Sequence, residues 1–328
     1  MARKKMCASG VGGQAVLEGV MMKNKESCAI AVRKPDGEID VEITEYHGVL
    51  HGSLVTKIPF IRGVFNFIDS FILGMRAINH SADFYEEEGA TDTGLDKFMN
   101  KLFGAKAEKV MSGFTMILSF VIAIGLFILL PYYLSTVFER YVMNASLLSL
   151  IEGLVRLVIF LLYIVAITLM KDIRRLYMYH GAEHKCINCL EHGHTLTVHN
   201  VKLSSRLHKR CGTSFLLFVM IVSIILFMFI KVESPVLRVG LRLLLIPVIA
   251  GISYEVIRLA GKSDNIIVKI LSAPGLALQM LTTKEPDAEM IEVAIKAVEG
   301  VFDWRAFLQE NFNAEEKEEE QVEEQSQD

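Results

Sequence analysis

The chain has 328 residues, 52% of them hydrophobic, and a formal net charge of -4; its mean hydropathy is +0.38. That balance excludes an ordinary soluble enzyme and reads as an integral membrane protein. The acidic excess lies largely in the run from 315 to 328, a low-complexity tail expected to be disordered, and it gives no basis for binding nucleic acid.

In chain order, the basic start Met1-Ala2-Arg3-Lys4-Lys5 is followed by Ser9, Gly10, Gly12, Gly13 and Gln14, where a signal peptide needs a continuous apolar core. No cleaved signal is expected. The glycine-rich lead-in lacks the Gly-Lys-Ser/Thr ending of a phosphate loop, so it is read as a tight turn into a packed strand. Residues 27–46 hold the apolar run Cys28 to Val32, the turn residues Lys34-Pro35-Asp36-Gly37, and then Ile39, Val41 and Ile43 alternating with Asp40, Glu42 and Thr44, the pattern of a β-hairpin. From 59 to 88, Ile61, Val64, Phe65, Ile68, Phe71, Ile72, Met75 and Ile78 recur at three- and four-residue spacing. This predicts an amphipathic helix that lies on the membrane or covers the hairpin, since Asp69 disfavours a span.

Four stretches have spanning length, near 113–135, 147–170, 213–230 and 236–259. The second contains Glu152 and Arg156, read as an i,i+4 packing pair, and the fourth contains Arg238, Arg242 and Glu255. The loop at 171–212 carries Lys171, Arg174, Arg175, Lys185, Lys202, Arg206, Lys209 and Arg210, whereas the opposite loops offer little beyond Arg140 and Lys231. The large loop and both termini are therefore expected to be cytoplasmic, in agreement with Lys97, Lys101, Lys106 and Lys109 ahead of the first span. Cys7, Cys28, Cys186, Cys189 and Cys211 then all fall on the reducing side, as thiols or metal ligands. Beyond the spans, residues 266–280 are interrupted by Lys269 and Pro274-Gly275 and read as an interfacial or re-entrant piece. Glu285-Pro286-Asp287 opens a helix ending near Gly300.

The chemistry concentrates in His180-Gly181-Ala182-Glu183-His184, on a helix expected to continue the second span to about Glu191 with Gly193 as its stop. Two imidazoles one turn apart can hold a divalent metal, and the adjoining Glu183 can take a proton from water. The order His-x-x-Glu-His is also that of inverted zinc peptidases. After a strand expected at 195–198, the segment through His208, Lys209, Arg210 and Cys211 brings another imidazole and a thiol to the same surface. His208 and Cys211 are thus the expected third and fourth ligands. Cys186-Ile187-Asn188-Cys189, with His192 or His194, is the alternative of a separate structural zinc, but the two cysteines point away from the His180/His184 face and are read as buried thiols. Glu255 is paired with Arg258 one turn later or reaches the metal from across the bundle; Lys185 and Arg210 are further site candidates.

These stretches resemble the DUF1385 family of bacterial membrane proteins, described as predicted metal-dependent enzymes. The matching residues are Gly12-Gly13-Gln14-Ala15-Val16-Leu17-Glu18-Gly19-Val20-Met21-Met22, Ile61-Arg62-Gly63-Val64, Tyr179 through Lys185, His208 through Ser214, Tyr254-Glu255 and Leu281-Thr282-Thr283-Lys284-Glu285-Pro286. Lys209 stands where the family usually has proline, and Cys186 and Cys189 fall outside its motifs. The resemblance implies a metal-dependent activity without naming its reaction, and singles out His180, Glu183, His184, His208 and Cys211.

The resulting expectation is a mainly α polytopic membrane protein of the bacterial inner membrane. It has four transmembrane helices and a small α+β cytoplasmic cap containing a β-hairpin. In order come a hairpin region (1–57), interfacial helices (58–112), two spans (113–170), the metal-site loop (171–212), two more spans (213–259), an interfacial segment and helix (260–312) and the tail (313–328). The expected function is zinc-type hydrolysis at the cytoplasmic membrane surface, with Glu183 catalytic, His180, His184, His208 and Cys211 as ligands, and a membrane-proximal substrate or protein partner. The alternative is a non-enzymatic scaffold or regulator with a structural or sensory metal cluster; a transporter ranks third.

Overall fold

The computed structural model describes residues 6–50, 53, 58–85, 107–230, 232, 234–260 and 265–312. The acidic tail from 313 and the lysines at 97, 101 and 106 lie outside the described residues.

The expected hairpin is half of a four-stranded antiparallel meander: β1 (Gly12–Val16), β2 (Gly19–Asn24), β3 (Ser27–Arg33) and β4 (Ile39–Glu45) in that order. Val16 pairs with Gly19, so Leu17 and Glu18 make a two-residue turn, with Glu18 at φ 50°. Side chains alternate across the sheet with period two. Val20, Met22 and Ala31 pack against the helices Lys171–Glu191 and Ala288–Val301, whereas Met21, Cys28, Ile30 and Val32 pack against Leu73 and Ala77 of α1 (Ile61–Asp83). Both faces are covered. Tyr46 Oη and Val49 N–H each donate to Asp69 at 2.8 Å, which ties the middle of α1 to the end of β4. Its first turn packs on α9, where a Cβ on Gly63 would lie 2.7 Å from Tyr254 Cβ.

The apolar helices begin with α2 (Ala107–Ile124), which passes through a π-helical turn (Gly125–Leu129) into α3 (Leu130–Thr136). Next come α4 (Ala145–Thr168), capped by Asn144, and then α5 (Lys171–Glu191), α6 (Val198–Leu203), α7 (Gly212–Phe227), α8 (Pro235–Leu244), α9 (Ile246–Ala260) and α10 (Ile266–Thr282). Finally α11 (Ala288–Val301) and α12 (Trp304–Phe312) return to the sheet.

Among the described residues, Gly113–Thr136 and Ser146–Thr168 are long and apolar enough to cross a membrane. Phe114, Ile117, Val121 and Ile122 are all more than half exposed, as lipid-facing side chains are. These helices indicate membrane association. Of the four expected spans, these helices are the first two, and the second half differs. The third stretch is a helix of 16 residues, short of the roughly 20 that cover a bilayer core. The fourth is α8 and α9 bent by 41°, a third span only if the pair is counted as one. Pro247, at the second position of α9, removes a backbone donor and clashes with the preceding turn, which accounts for the bend.

Two further corrections are local. The helix does not run unbroken from the second span, because Met170 is extended (φ -73°, ψ 133°) and α5 starts afresh at Lys171. Residues 195–197 are not a strand: Thr197 caps α6 by accepting from the Asn200 N–H. Gly193 has φ 78°, as a helix stop requires.

Candidate metal centre

The α5 helix carries His180, Glu183 and His184, and two pieces of chain cross it. The first is the exit from α10. Lys284 N–H donates to Tyr177 O at 2.8 Å, and a Cβ on Gly181 would lie 2.0 Å from Lys284 O. Only glycine admits this crossing. The second is the loop from 204 to 211, whose buried carbonyls need donors. Lys185 Nζ supplies Lys202 O (2.9 Å) and Ser204 O (2.8 Å), and Asn188 Nδ2 supplies Ser205 O (2.6 Å) and Leu207 O (3.0 Å). Gln279, fully buried on α10, donates to His208 O (2.7 Å) and Ser214 Oγ (2.9 Å) and accepts from His208 N–H (2.8 Å).

The two crossings orient the histidines. His180 Nδ1 lies 2.9 Å from Thr282 O, and His184 Nδ1 lies 2.7 Å from Arg206 O. A carbonyl only accepts, so each Nδ1 carries the proton and each Nε2 presents a lone pair. His180 Nε2 is 3.2 Å from Cys211 Sγ. Cys211 is the N-cap of α7 and accepts from Thr213 N–H at 3.4 Å, a place where the helix dipole suits an anion. Donor atoms of His180, His184 and Cys211 all lie within 4.8 Å of one another. In a tetrahedral zinc site neighbouring donors are about 3.4–3.6 Å apart, from metal–ligand lengths of about 2.0–2.3 Å. The set fits a divalent cation with a small contraction. Burial holds His184 below its ordinary value, which favours its neutral form.

Glu183 is 5% exposed. Burial pushes its carboxyl up to about 7, partly offset by nearby His180 and by the Gly13 N–H that donates to it. Gly13 again has no room for a side chain, since a Cβ there would sit 2.5 Å from Met21 O, with Glu183 Cγ at 3.1 Å. The base candidate thus lies between α5 and β1, beside the donor group.

The other expected residues are placed differently. His208 packs its ring 5.7 Å from that of His184, but its Nε2 points to Glu191 Oε2 at 3.5 Å. Arg210 pairs with the same Glu191, which also accepts from Ser9 N–H and Oγ. Burial works to raise the Glu191 carboxyl, but His208, Arg210 and Ser9 outweigh it and bring it down to about 2. Lys185 and Arg206 share Glu285 at 3.0 and 3.3 Å. Glu255 is gripped by Arg62 at 2.6 and 2.5 Å, with Arg258 at 3.8 Å, so its carboxylate is not among the converging donors. Cys186 and Cys189 are fully buried among apolar side chains, and burial pushes both thiols up, Cys189 to about 11. Sequence reasoning assigns no site role to Thr282, Arg206, Gln279 or Glu191, although Thr282 lies in the stretch Leu281 to Pro286 and Arg206 just ahead of His208.

The family described as a protein of unknown function, DUF1385, matches residues 58–304. The chain belongs to the DUF1385 family. It is 38% identical over 311 residues, 92% of this chain and 94% of the relative, to the Bacillus subtilis (strain 168) protein called "Uncharacterized protein YqhQ". No solved structure matches. The DUF1385 region includes the whole of α5, the 204–211 loop and the exit from α10, but not the sheet.

Proposed function

We propose that this DUF1385 protein is a membrane-bound, metal-dependent hydrolase whose site faces the cytoplasm. The observation that carries the reading is the matched pair of carbonyls. Thr282 and Arg206 take the Nδ1 protons of His180 and His184 and aim both Nε2 atoms toward Cys211. Backbone acceptors behind imidazoles are the usual outer support of metal-binding histidines. Three protein ligands leave one position open, as in catalytic rather than structural zinc sites. A divalent cation there, zinc by its donor set, supplies Lewis acidity and makes water more acidic.

The chain's own residues do the rest. His180, His184 and Cys211 bind, and their backbone acceptors fix the ring planes. Glu183, with a carboxyl near 7, is poised to accept a proton from water and return it to a leaving group. His208 and Glu191 form a neighbouring pair that supports the loop carrying Cys211. The excess of Lys and Arg in residues 171–212 supports a cytoplasmic side for that loop and for both termini, with α7 and the bent α8–α9 pair read as the third and fourth crossings. Because α7 starts at Cys211 and α10 ends at Thr282, the site sits where apolar helices emerge, which favours a membrane-embedded or membrane-proximal substrate.

The test is metal content and complementation. Purified protein is expected to hold about one metal ion per chain, lost in the His180→Ala/His184→Ala double variant. Glu183→Gln is expected to keep the metal but fail to complement a deletion strain. Negligible metal in both proteins overturns the site; metal and complementation both retained by Glu183→Gln overturn catalysis.

A further inference from the structure

The membrane bundle contains a second polar cluster, independent of the His180 site. Glu152, on the second turn of α4, meets Arg242 of α8 through both oxygens, with Arg242 Nη2 2.7 Å from Oε2. Arg156 Nη2 donates to Glu152 Oε1 at 2.9 Å. The three residues are 3%, 5% and 4% exposed, respectively for Glu152, Arg156 and Arg242. Arg156 also donates from Nε to Phe127 O at 2.9 Å, within the π-helical turn, and from Nη1 to Ser223 Oγ at 3.5 Å. π-Turns loosen the backbone ladder, and this one turns a carbonyl to the cluster. The Phe227 ring lies 5.3 Å from the Arg156 guanidinium and 5.0 Å from that of Arg242.

Two observations mark the cluster as incomplete. Two guanidiniums, which stay protonated, share one carboxylate, so among the described residues one positive charge is in excess. A charge inside a bilayer is kept only with a partner or a function. Independently, Arg242 Nε is buried with no acceptor among the described residues, whereas Arg156 Nε has the Phe127 carbonyl. The missing charge and the missing acceptor coincide on the same group of side chains.

We propose that a singly charged phosphate oxygen completes the cluster by accepting from Arg242 Nε. Each Nη of Arg242 gives an N–H to Glu152, so Nε is the nitrogen left without an acceptor among the described residues, beside one net positive charge. A phosphate oxygen bearing one negative charge balances that excess, as a phospholipid phosphodiester or monoanionic free phosphate does. The group comes from an anionic phospholipid headgroup or from free phosphate. Glu152 is eight residues from the Asn144 cap of α4, about 12 Å along a helix, within reach of a headgroup drawn toward a buried arginine.

The experiment is thermal unfolding of the full chain in neutral detergent with added phosphatidylglycerol, phosphatidylcholine or inorganic phosphate. Phosphatidylglycerol at about a hundredfold excess over its dissociation constant is expected to raise the melting temperature by about 5 °C, with little effect of phosphatidylcholine. Arg242→Lys keeps the charge but removes Nε, and Arg156→Met leaves a neutral Arg242–Glu152 pair; each is expected to lose most of the shift. Elution as a monodisperse peak checks that the variants fold, and the neutral-pair variant remains informative should Arg242→Lys not. A shift by inorganic phosphate of the same size, also lost in the variants, assigns the oxygen to a free anion. Equal shifts with both lipids, no shift at all, or full shifts in folded variants overturn the proposal.

Discussion

Gly181→Ala is a small change with a large expected effect, because the helix and the exit from α10 touch at this residue. A Cβ at position 181 would lie 2.0 Å from Lys284 O, a backbone atom that has no rotamer to change. An ordinary carbon–oxygen contact is above 3 Å, so the 283–286 backbone must retreat by about 1 Å, at an overpacking cost of about 1–3 kcal/mol. Alanine returns about 1 kcal/mol through helix propensity, leaving a net loss of up to roughly 2 kcal/mol. The retreat also draws Thr282 O away from His180 Nδ1. A bond of 2.9 Å stretched by about 1 Å no longer qualifies as one. Loss of such a backing acceptor typically weakens metal binding by about 10–100-fold. Zinc titration against a competing chelator, beside thermal unfolding of the metal-free protein, measures both. A melting temperature that rises refutes the packing argument; a lowered melting temperature with unchanged zinc affinity refutes the link from Thr282 to the metal.

Three other outcomes follow from the same geometry. Burial holds Glu183 protonated up to about 7 against an ordinary 4.5, so folded protein keeps a proton that the unfolded chain releases. The stability of the metal-free protein should therefore fall as pH rises from 4.5 to 7, by roughly 3 kcal/mol from this group, and Glu183→Gln should flatten that slope in a pH series of denaturant melts. Glu191 has the opposite sign: held down to about 2, it stabilises fully above 4.5 and loses that contribution as pH falls toward 2. Glu191→Ala strands His208 and Arg210 and should cost about 3–5 kcal/mol in the same melts. Cys186→Ala with Cys189→Ala should leave metal content unchanged by elemental analysis, since both thiols lie in the apolar core and outside the donor group.

Local patterns were legible in the sequence where a short-range rule governs them. The turn at Lys34 to Gly37 follows from its residue types, β3 from a short apolar run and β4 from period-two patterning, and the first two apolar helices follow from length and hydropathy alone. The one-turn spacing of His180 and His184 likewise holds because α5 is helical throughout. What hydropathy could not give was where apolar helices stop. The α7 helix ends at Phe227, and α8 and α9 bend at Leu245, although the composition on either side barely changes. Partners brought from afar were equally hidden. Glu255 was read against Arg258 on its own helix, but Arg62, 193 residues away, has the better geometry. The acceptors behind the histidines are backbone carbonyls of Thr282 and Arg206, and a carbonyl's position leaves no mark in a side-chain motif. His208 was chosen as a ligand by residue type, while the structure gives its Nε2 to a glutamate expected only to end a helix.

The most direct test of the central claim is zinc-edge X-ray absorption of the full-length protein loaded with one equivalent of zinc. The account predicts one sulfur at about 2.3 Å, from Cys211, and two imidazole nitrogens at about 2.0–2.1 Å, from His180 and His184, with a light-atom ligand completing four-coordination. The sulfur shell should vanish in Cys211→Ser. A spectrum with no sulfur, with two or more sulfurs, or unchanged in that variant would contradict it.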